Sequence, residues 1–338
     1  MPRHEAMLYS RREGKKVICE LCAHDCILNE GQFGICGVRQ NIDGVLYTHV
    51  FEEAIAAHID PIEKKPFFHF FPGSETFSFG TAGCNFQCQN CLNWNISQSP
   101  KITGKIEGEE ITPEKIVELA IRYQCPSISY TYNEPTVFID FALDTMKLAK
   151  KRGLRNCWVS NGFMTKEALD LIVPYLDAVN IDLKGFSDDF YQEYCGGRLK
   201  PVVENMVAFK KRKIWLEITT LIIPGLLDEK VFTQIARFIK NELGKETPWH
   251  VSRFFPEISW QMRYLSTTPL ALLQKACDIG VAEGLLYVYG GNVPGLASED
   301  TFCPKCHQKM IDRTGYTIER YDNNGRCSNC GTDLNIIE

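Results

Sequence analysis

Short apolar runs alternate with amphipathic segments between residues 76 and 293. The runs are almost continuously apolar and four to ten residues long, which is typical of parallel strands covered on both faces. They are Thr76–Gly80, Ile128–Tyr132, Cys157–Ser160, Ala178–Leu183, Ile214–Ile223, His250–Phe254 and Leu285–Tyr289. Between them, segments such as 137–152 repeat apolar residues at helical spacing. The pattern predicts repeated βα units.

Turn and cap residues mark where the helices begin and end. Thr112-Pro113 and Thr268-Pro269 each place a capping residue before a proline, which favours the first helical position. Gly153 and Gly284 each follow a helical segment. Glycine readily adopts the left-handed backbone conformation with which many helices end. The helices are therefore predicted to begin and end at these residues.

The predicted fold class is α/β, a partial (β/α)6-type TIM barrel that carries two small modules. Residues 76–295 form the barrel, which has six or seven βα units. Residues 1–75 form an N-terminal Cys-rich module with an extended segment, and residues 296–338 form a C-terminal four-cysteine module. In such barrels ligands bind at the carboxyl ends of the strands.

Three cysteines follow the first predicted strand at C-x3-C-x2-C spacing. They are Cys84, Cys88 and Cys91. A cubane [4Fe–4S] cluster normally binds four thiolates, so three ligands leave one iron open to a cofactor or substrate. A structural zinc site closes with a fourth ligand. The spacing favours a cluster with an open iron, and a zinc knuckle or unrelated thiols is the alternative.

Polar residues follow the other predicted strands at the same end. They are Thr131, Tyr132, Asn133 and Glu134 after the second strand, Ser160 and Asn161 after the third, Asp182 and Lys184 after the fourth, and Thr219 and His250 on the fifth and sixth. Each one taken singly suits a turn or a cap. Because they recur on successive strands, together they predict a binding site beside the three cysteines.

Four further cysteines precede the barrel at C-x2-C-x3-C-x9-C spacing. They are Cys19, Cys22, Cys26 and Cys36, among glycines that allow tight turns. A small module of this kind commonly depends on a metal for folding. Zinc and a second iron–sulfur cluster both fit the spacing, which favours zinc slightly.

The last four cysteines form two knuckles at C-x2-C-x20-C-x2-C spacing. They are Cys303, Cys306, Cys327 and Cys330. This spacing is typical of a zinc ribbon. A rubredoxin-like iron site is the alternative, because the same four sulfurs accept iron.

Composition limits the location and the partners. The net charge of −5 and the pI of about 5.9 provide no basic field for nucleic acid. No apolar run reaches the ~18 residues of a membrane span, and the stretch from Met1 to Glu5 lacks a signal-peptide core. A cytoplasmic protein is expected, and its 15 cysteines there indicate metal binding instead of disulfides.

The chain resembles the radical S-adenosylmethionine (SAM) enzymes, in particular those of the AmmeMemoRadiSam system, which are related to pyruvate formate-lyase activating enzymes. The resemblance rests on the three-cysteine motif, on the strand-end residues and on the segments 19–41 and 60–73. It implies that Cys84, Cys88 and Cys91 ligate a [4Fe–4S] cluster, whose open iron chelates SAM.

The resemblance also implies roles for the strand-end residues. Thr131 to Glu134 occupies the place of the segment that holds the SAM amino group. Ser160, Asn161, Asp182 and Lys184 match positions that contact SAM or shape the reaction pocket, and Lys184 can pair with a carboxylate. One position departs from the family: Asn90 precedes the third cysteine, where an aromatic or apolar residue usually stacks near adenine.

The predicted activity is reductive cleavage of SAM to methionine and a 5′-deoxyadenosyl radical, which takes hydrogen from a substrate. A protein substrate, as for an activating enzyme, is one candidate, and a small molecule or nucleoside is another. A non-catalytic electron-transfer or assembly protein is the third reading, which the open three-cysteine site disfavours. A flavodoxin or ferredoxin is the expected electron donor, and no membrane partner is expected.

Overall fold

The computed structural model describes residues 4–293 and 295–338. They form two compact units. The first comprises the chain up to Asp60, Glu75–Val179 and Asp188–Ile214; the second comprises Pro61–Ser74, Asn180–Ser187 and Trp215–Glu338. Residues 1–3 and Pro294 lie outside the described residues, and parts of two predictions fall on them: the N-terminus without a signal core and the module boundary near residue 295.

The first unit contains most of the helices and the N-terminal strands. Its strands are β1 (His4–Glu5), β2 (Tyr9–Arg11), β3 (Val17–Cys19), β4 (Ile27–Leu28), β5 (Arg39–Ile42), β6 (Val45–Thr48), β7 (Glu53–Ala54), β8 (Ala56–Pro61, whose last residue belongs to the second unit), β9 (Glu75–Gly80), β10 (Glu109–Glu110), β11 (Ser127–Tyr130) and β12 (Arg155–Ser160). Its helices are α1 (Trp94–Ser97), α2 (Ser99–Thr103), α3 (Pro113–Arg122), α4 (Ile139–Lys151), α5 (Lys166–Ile172), α6 (Asp188–Phe190) and α7 (Leu199–Lys211).

Strand β11 lies between β9 and β12, and both pairings are parallel. All four residues of β11 are buried, as its near-continuous apolar run predicts for a strand covered on both faces. Helix α3 begins with Pro113, and the Thr112 side chain accepts a hydrogen bond from Lys115 N. The parallel strands therefore end together, and the three-cysteine segment follows the end of β9.

The second unit contains another parallel set and the C-terminal hairpins. The strand β13 (Ala178–Asp182) spans the boundary between the units. The other elements are β14 (Trp215–Ile222), β15 (Trp249–Arg253), β16 (Val288–Gly291), β17 (Thr301–Phe302), β18 (Lys309–Thr314), β19 (Thr317–Arg320), α8 (Glu229–Phe238) and α9 (Leu270–Ala282). Strand β15 pairs in parallel with both β14 and β16.

All seven apolar runs contain strands, with one displacement and one wrong cap. The last strand begins at Val288, three residues after the predicted start. Helix α9 has Pro269 at its N-cap and no side-chain cap. The Thr268 hydroxyl instead donates to Ile222 O at 2.5 Å and accepts from Phe254 N at 2.9 Å, so a tertiary contact takes the group that could cap the helix.

The chain thus has an α/β fold rich in parallel strands, as predicted. The predicted partial barrel and its division into three domains stay predictions. In the part of the chain that the structure describes, no helix is both long and apolar enough to cross a bilayer.

Candidate functional site

Gly83 opens the three-cysteine segment and must be glycine. Its φ is +89°, and a Cβ there would lie 2.6 Å from Val38 Cγ1 and 2.8 Å from Cys36 O. The N-terminal module therefore packs directly against the residue that precedes Cys84. A side chain at position 83 would push the two segments apart.

The three thiols lie in a partly buried loop that provides polar partners for sulfur. Cys88 is buried, and Cys84 and Cys91 are half-buried. Phe86 N donates to Cys84 Sγ over 3.4 Å, and Cys91 Sγ lies 3.3 Å from the Ser97 hydroxyl. Burial raises the pKa of the Cys84 thiol. A bound metal would deprotonate it, and the N–H contact would then stabilise the thiolate.

A π-helical turn at Tyr191–Cys195 holds the backbone of this loop. Gln87 N donates to Cys195 O at 2.8 Å, and Gln89 N donates to Tyr194 O at 2.9 Å. The turn ends before Gly197, where a Cβ would lie 2.3 Å from the ring of Phe86. The loop conformation is thus fixed by an element more than 100 residues away in sequence.

The predicted Thr131–Asn133 segment lies against the start of the cysteine loop. A Cβ at Gly80 would lie 2.3 Å from Thr131 O, so glycine permits the approach. The Asn133 side chain donates to Gly83 O at 2.6 Å. Tyr132 has a φ of +71°, which is strained for a bulky residue and typical of functional segments.

Glu134 joins the ends of β11 and β12. It is 1% exposed, and its carboxylate accepts from Ser160 Oγ at 2.8 Å, from Asn161 N at 2.7 Å and from both the N–H and the hydroxyl of Thr136. Burial raises the pKa of Glu134, and these hydrogen bonds oppose the rise. The geometry therefore uses Glu134 to position the neighbouring strand ends.

Asn85 connects this network to the cysteine loop, and the sequence predictions did not include it. Its Oδ1 accepts from Asn161 Nδ2 at 2.8 Å, and its Nδ2 donates to Phe163 O at 3.3 Å. Its position inside C-x3-C was the only sequence signal available. The structure thus brings Asn133, Glu134, Ser160 and Asn161 together around the loop that bears Cys84 and Cys88.

Lys101 is a second residue that the sequence predictions missed. Its ammonium donates to Phe86 O at 2.9 Å and to Gln98 Oε1 at 3.0 Å. Burial lowers the pKa of Lys101, and the nearby thiols Cys84, Cys36, Cys88 and Cys91 oppose that shift. Because it lies 10 residues beyond the last motif cysteine, no spacing signal pointed to this cation.

The other predicted site residues lie in the second unit. Lys184 Nζ is 2.9 Å from Asp182 Oδ2, so these two side chains form an ion pair. Thr219 donates through its hydroxyl to Asn180 Oδ1 at 2.9 Å. The Asp182–Lys184 pair lies at the end of β13, where the sequence predicted a site, whereas Thr219 and Asn180 lie in the middle of β14 and β13.

His250 contacts a buried carboxylate. Its Nε2 lies 2.7 Å from Glu217 Oε2, and Glu217 also accepts from the backbone N–H groups of Phe68 and His69. Although burial opposes it, the hydrogen bond from His250 holds the pKa of Glu217 below its usual value. Glu217 thus anchors the 61–74 segment within the second unit, and His250 holds the Glu217 carboxylate.

The four C-terminal cysteines form a compact metal-binding set. Their sulfurs all lie within 4.8 Å of one another, and the distances Cys303–Cys330 and Cys306–Cys327 are 3.6 and 3.5 Å. A tetrahedral ion with metal–sulfur bonds of about 2.3 Å places its sulfurs about 3.8 Å apart. The set fits one zinc or iron ion.

The four N-terminal cysteines all lie in the first unit. Cys19, Cys22 and Cys36 are buried and Cys26 is half-buried. Among the described residues, only the C-terminal cysteines form a set that converges on a site for a single ion. The predicted metal in this module stays a prediction at this point.

Comparisons with known proteins find a family and several relatives. A sequence model of the radical SAM superfamily matches residues 79–237. An uncharacterized protein of Methanocaldococcus jannaschii is 43% identical over 339 residues, covering 98% of this chain and 99% of that protein. The pyruvate formate-lyase 1-activating enzyme of Escherichia coli is 24% identical over 168 residues, 47% of this chain and 65% of that enzyme.

A solved structure shares the fold over a larger part of the chain than the family model matches. Streptococcus suis SuiB, bound to the precursor peptide SuiA, has a TM-score of 0.51 and 12% identity, covering 68% of this chain and 51% of that chain. At this identity the likeness concerns the fold alone.

Proposed function

The chain belongs to the radical SAM superfamily, and we propose that it is a hydrogen-abstracting enzyme that uses a [4Fe–4S] cluster and SAM. When bound, the cluster supplies the electron that cleaves SAM to methionine and a 5′-deoxyadenosyl radical. The single observation that carries the proposal is the loop with three cysteines, which is held by hydrogen bonds from three other segments.

The residues of the loop fit a cluster with an open iron. Cys84, Cys88 and Cys91 supply three thiolates, and a cubane cluster held by three thiolates keeps one iron open. Asn133 Oδ1 is buried and has no hydrogen-bond partner among the described residues. A free acceptor beside the loop supports binding of an ammonium group, as SAM carries.

The strand-end residues divide the remaining work. Glu134, Ser160 and Asn161 fix the position of the strand ends relative to the loop through their hydrogen bonds. The backbone of Thr131 to Asn133 orients the amino group of SAM. Asp182, Lys184, Thr219 and His250 line the reaction pocket of a partial (β/α)6 barrel, with Lys184 as the cation for a carboxylate. Each unit by itself contains parallel strands, as the repeated βα units of a barrel require.

A protein is the substrate that we favour. The relative that activates pyruvate formate-lyase supports an activating role, and the sequence resemblance supports the AmmeMemoRadiSam system. The C-terminal cysteine module supports a macromolecular partner, and a flavodoxin or ferredoxin supplies electrons. A small-molecule substrate is the second candidate.

The cleavage step is tested by anaerobic reconstitution with iron, sulfide, a reductant and SAM. We expect release of 5′-deoxyadenosine, and we expect Cys88→Ala to reduce it to background. Cys277→Ala removes a buried thiol from α9 and serves as the matched control. Undiminished release from Cys88→Ala would contradict the assigned role.

The substrate class is tested by following deuterium. The reconstituted protein is incubated with deuterated extract from the cells that encode it, separated into protein and low-molecular-mass fractions. Deuterium in 5′-deoxyadenosine from the protein fraction alone supports a protein substrate. Label that comes only from the small-molecule fraction contradicts it.

A further inference from the structure

The N-terminal cysteines surround one region of the first unit. Cys19 ends β3, Cys26 precedes β4, and Cys19 N donates to Cys26 O at 3.0 Å. The sulfurs of Cys36 and Cys26 lie 3.7 and 3.9 Å from the position that a Cβ would take at Gly34. Glycine at this position therefore leaves room between two of the thiols.

Cys22 belongs to the same group. It is buried, and Asp25 N donates to Cys22 O at 3.1 Å, so the chain turns back between Cys22 and Cys26. The four cysteines thus lie in one turn-rich part of the first unit. Four thiols gathered in a small module without disulfides indicate a metal centre.

The spacing of the sulfurs distinguishes the kinds of metal centre. The C-terminal set is compact, with sulfurs 3.5 and 3.6 Å apart in two pairs, as one tetrahedral ion requires. Within the described ranges, the C-terminal set is the one group of His, Cys, Asp or Glu side chains that converges as a single ion requires. A cubane cluster holds its cysteine sulfurs further apart, because each sulfur binds a different iron.

We propose that Cys19, Cys22, Cys26 and Cys36 hold a second [4Fe–4S] cluster, which adjoins the loop that bears Cys84. This choice replaces zinc, which the sequence spacing favoured slightly. The inference goes beyond the proposed function and stands without it, because it concerns a different set of ligands.

The second site touches the first loop at three points. Cys36 O and Val38 pack against Gly83. His24, which lies between Cys22 and Cys26, has its Nε2 2.8 Å from Asn85 O. Gly37, next to Cys36, lies against Lys101: a Cβ there would be 3.1 Å from Lys101 Cγ, and the Lys101 ammonium donates to Phe86 O in the loop at 2.9 Å. Assembly of the N-terminal cluster therefore stabilises the conformation of the Cys84 loop.

The test counts acid-labile sulfide in the full-length protein, purified anaerobically and reconstituted. The C-terminal site does not contribute to this count, because a single ion bound by four thiolates contains no sulfide. We expect about eight sulfides per wild-type chain and about four in the triple variant Cys84→Ala/Cys88→Ala/Cys91→Ala. A triple variant that contains zinc in the N-terminal module and no sulfide would overturn the inference.

A second variant keeps the result interpretable. Cys22→Ala/Cys26→Ala also halves the sulfide and removes one of two signals from the electron paramagnetic resonance spectrum of the reduced protein. Cys277→Ala is the control and leaves both unchanged. If either variant fails to fold, the wild-type count decides: about four sulfides instead of eight contradicts a second cluster.

The outcomes for the two sites are separable. Sulfide present in the triple variant but absent from Cys22→Ala/Cys26→Ala would support the N-terminal cluster and refute the proposed cluster of the Cys84 loop. The reverse pattern would refute the N-terminal cluster and leave the proposed function intact.

Discussion

Single residues set the geometry of the cysteine loop through contacts that only a particular side chain allows. Gly83 combines a positive φ with two approaches under 3 Å, and Glu134 satisfies four donors from two strand ends. Neither residue is a metal ligand. Both act by holding the atoms around the ligands in place.

Gly83→Ala should destabilise the first unit and lower iron binding. The strained φ costs about 1–2 kcal/mol, and overpacking against Val38 adds about 1–3 kcal/mol. Gly104→Ala is the matched control, because Gly104 has a φ of +68° and nothing within 4 Å. Denaturant unfolding and iron content measure the difference. Equal losses in the two variants would show that the close contact does not matter.

His69 should make the protein less stable in mild acid. Burial lowers the pKa of His69 to about 4, and its ring lies between Leu334 O and the Tyr289 hydroxyl. In the unfolded chain the His69 side chain binds a proton below about pH 6.5, whereas in the folded chain it binds one only near pH 4. Stability is therefore highest above pH 6.5 and falls by up to about 3 kcal/mol towards pH 4.

Urea unfolding between pH 7 and pH 5 measures this effect. His69→Gln should flatten the pH dependence in that window. His58→Gln replaces an exposed histidine and should leave it as in the wild type. A wild-type slope retained in His69→Gln would assign the acid sensitivity to another group.

At the level of elements, the π-helical turn Tyr191–Cys195 and the loop after β9 depend on each other. The turn offers carbonyls to two backbone N–H groups of the loop, and Gly197 allows the ring of Phe86 to pack beside it. Single-turn π-helices are frequent at functional sites. Here the turn holds the cysteine loop through the backbone of Gln87 and Gln89.

Gly197→Ala should displace Phe86 and reduce iron–sulfur loading of the Cys84 loop. The free energy of unfolding should fall by about 1–3 kcal/mol, because the added Cβ would lie 2.3 Å from the ring. A second change, Phe86→Leu, removes the ring atoms and should recover part of the loading. Gly196→Ala, where the nearest atom is 3.7 Å away, tests the effect of a positive φ alone. No recovery in the double variant would contradict the steric explanation.

At the level of the whole molecule, the N-terminal segment is an integral part of the first unit. The Arg39 guanidinium and the Asp140 carboxylate form a fully buried ion pair between β5 and α4. Arg39 also donates to Met7 O, and Asp140 accepts from Met7 N. The module that bears the first four cysteines is therefore joined to the parallel strands and helices by buried charge.

Asp140→Asn should destabilise the protein by about 3–5 kcal/mol, because it leaves the buried Arg39 charge without its partner. Glu118→Gln, which breaks an exposed pair with Lys115, should cost less than about 1 kcal/mol. Thermal or denaturant unfolding compares the two. Similar small losses would mean that solvent reaches Arg39 in solution.

The sequence by itself determined the parallel α/β fold, the helix boundary at Thr112 and the three-cysteine motif that predicts a cluster with an open iron. Apolar periodicity and ligand spacing are local, so they can be read along the chain. Tertiary structure decided the rest. The Thr268 hydroxyl bonds to Ile222 O on a distant strand, and Asn85 and Lys101 owe their roles to partners elsewhere in the chain. The sulfur spacing that separates a cluster from a single ion is likewise a three-dimensional distance, which folding sets and which residue intervals leave open.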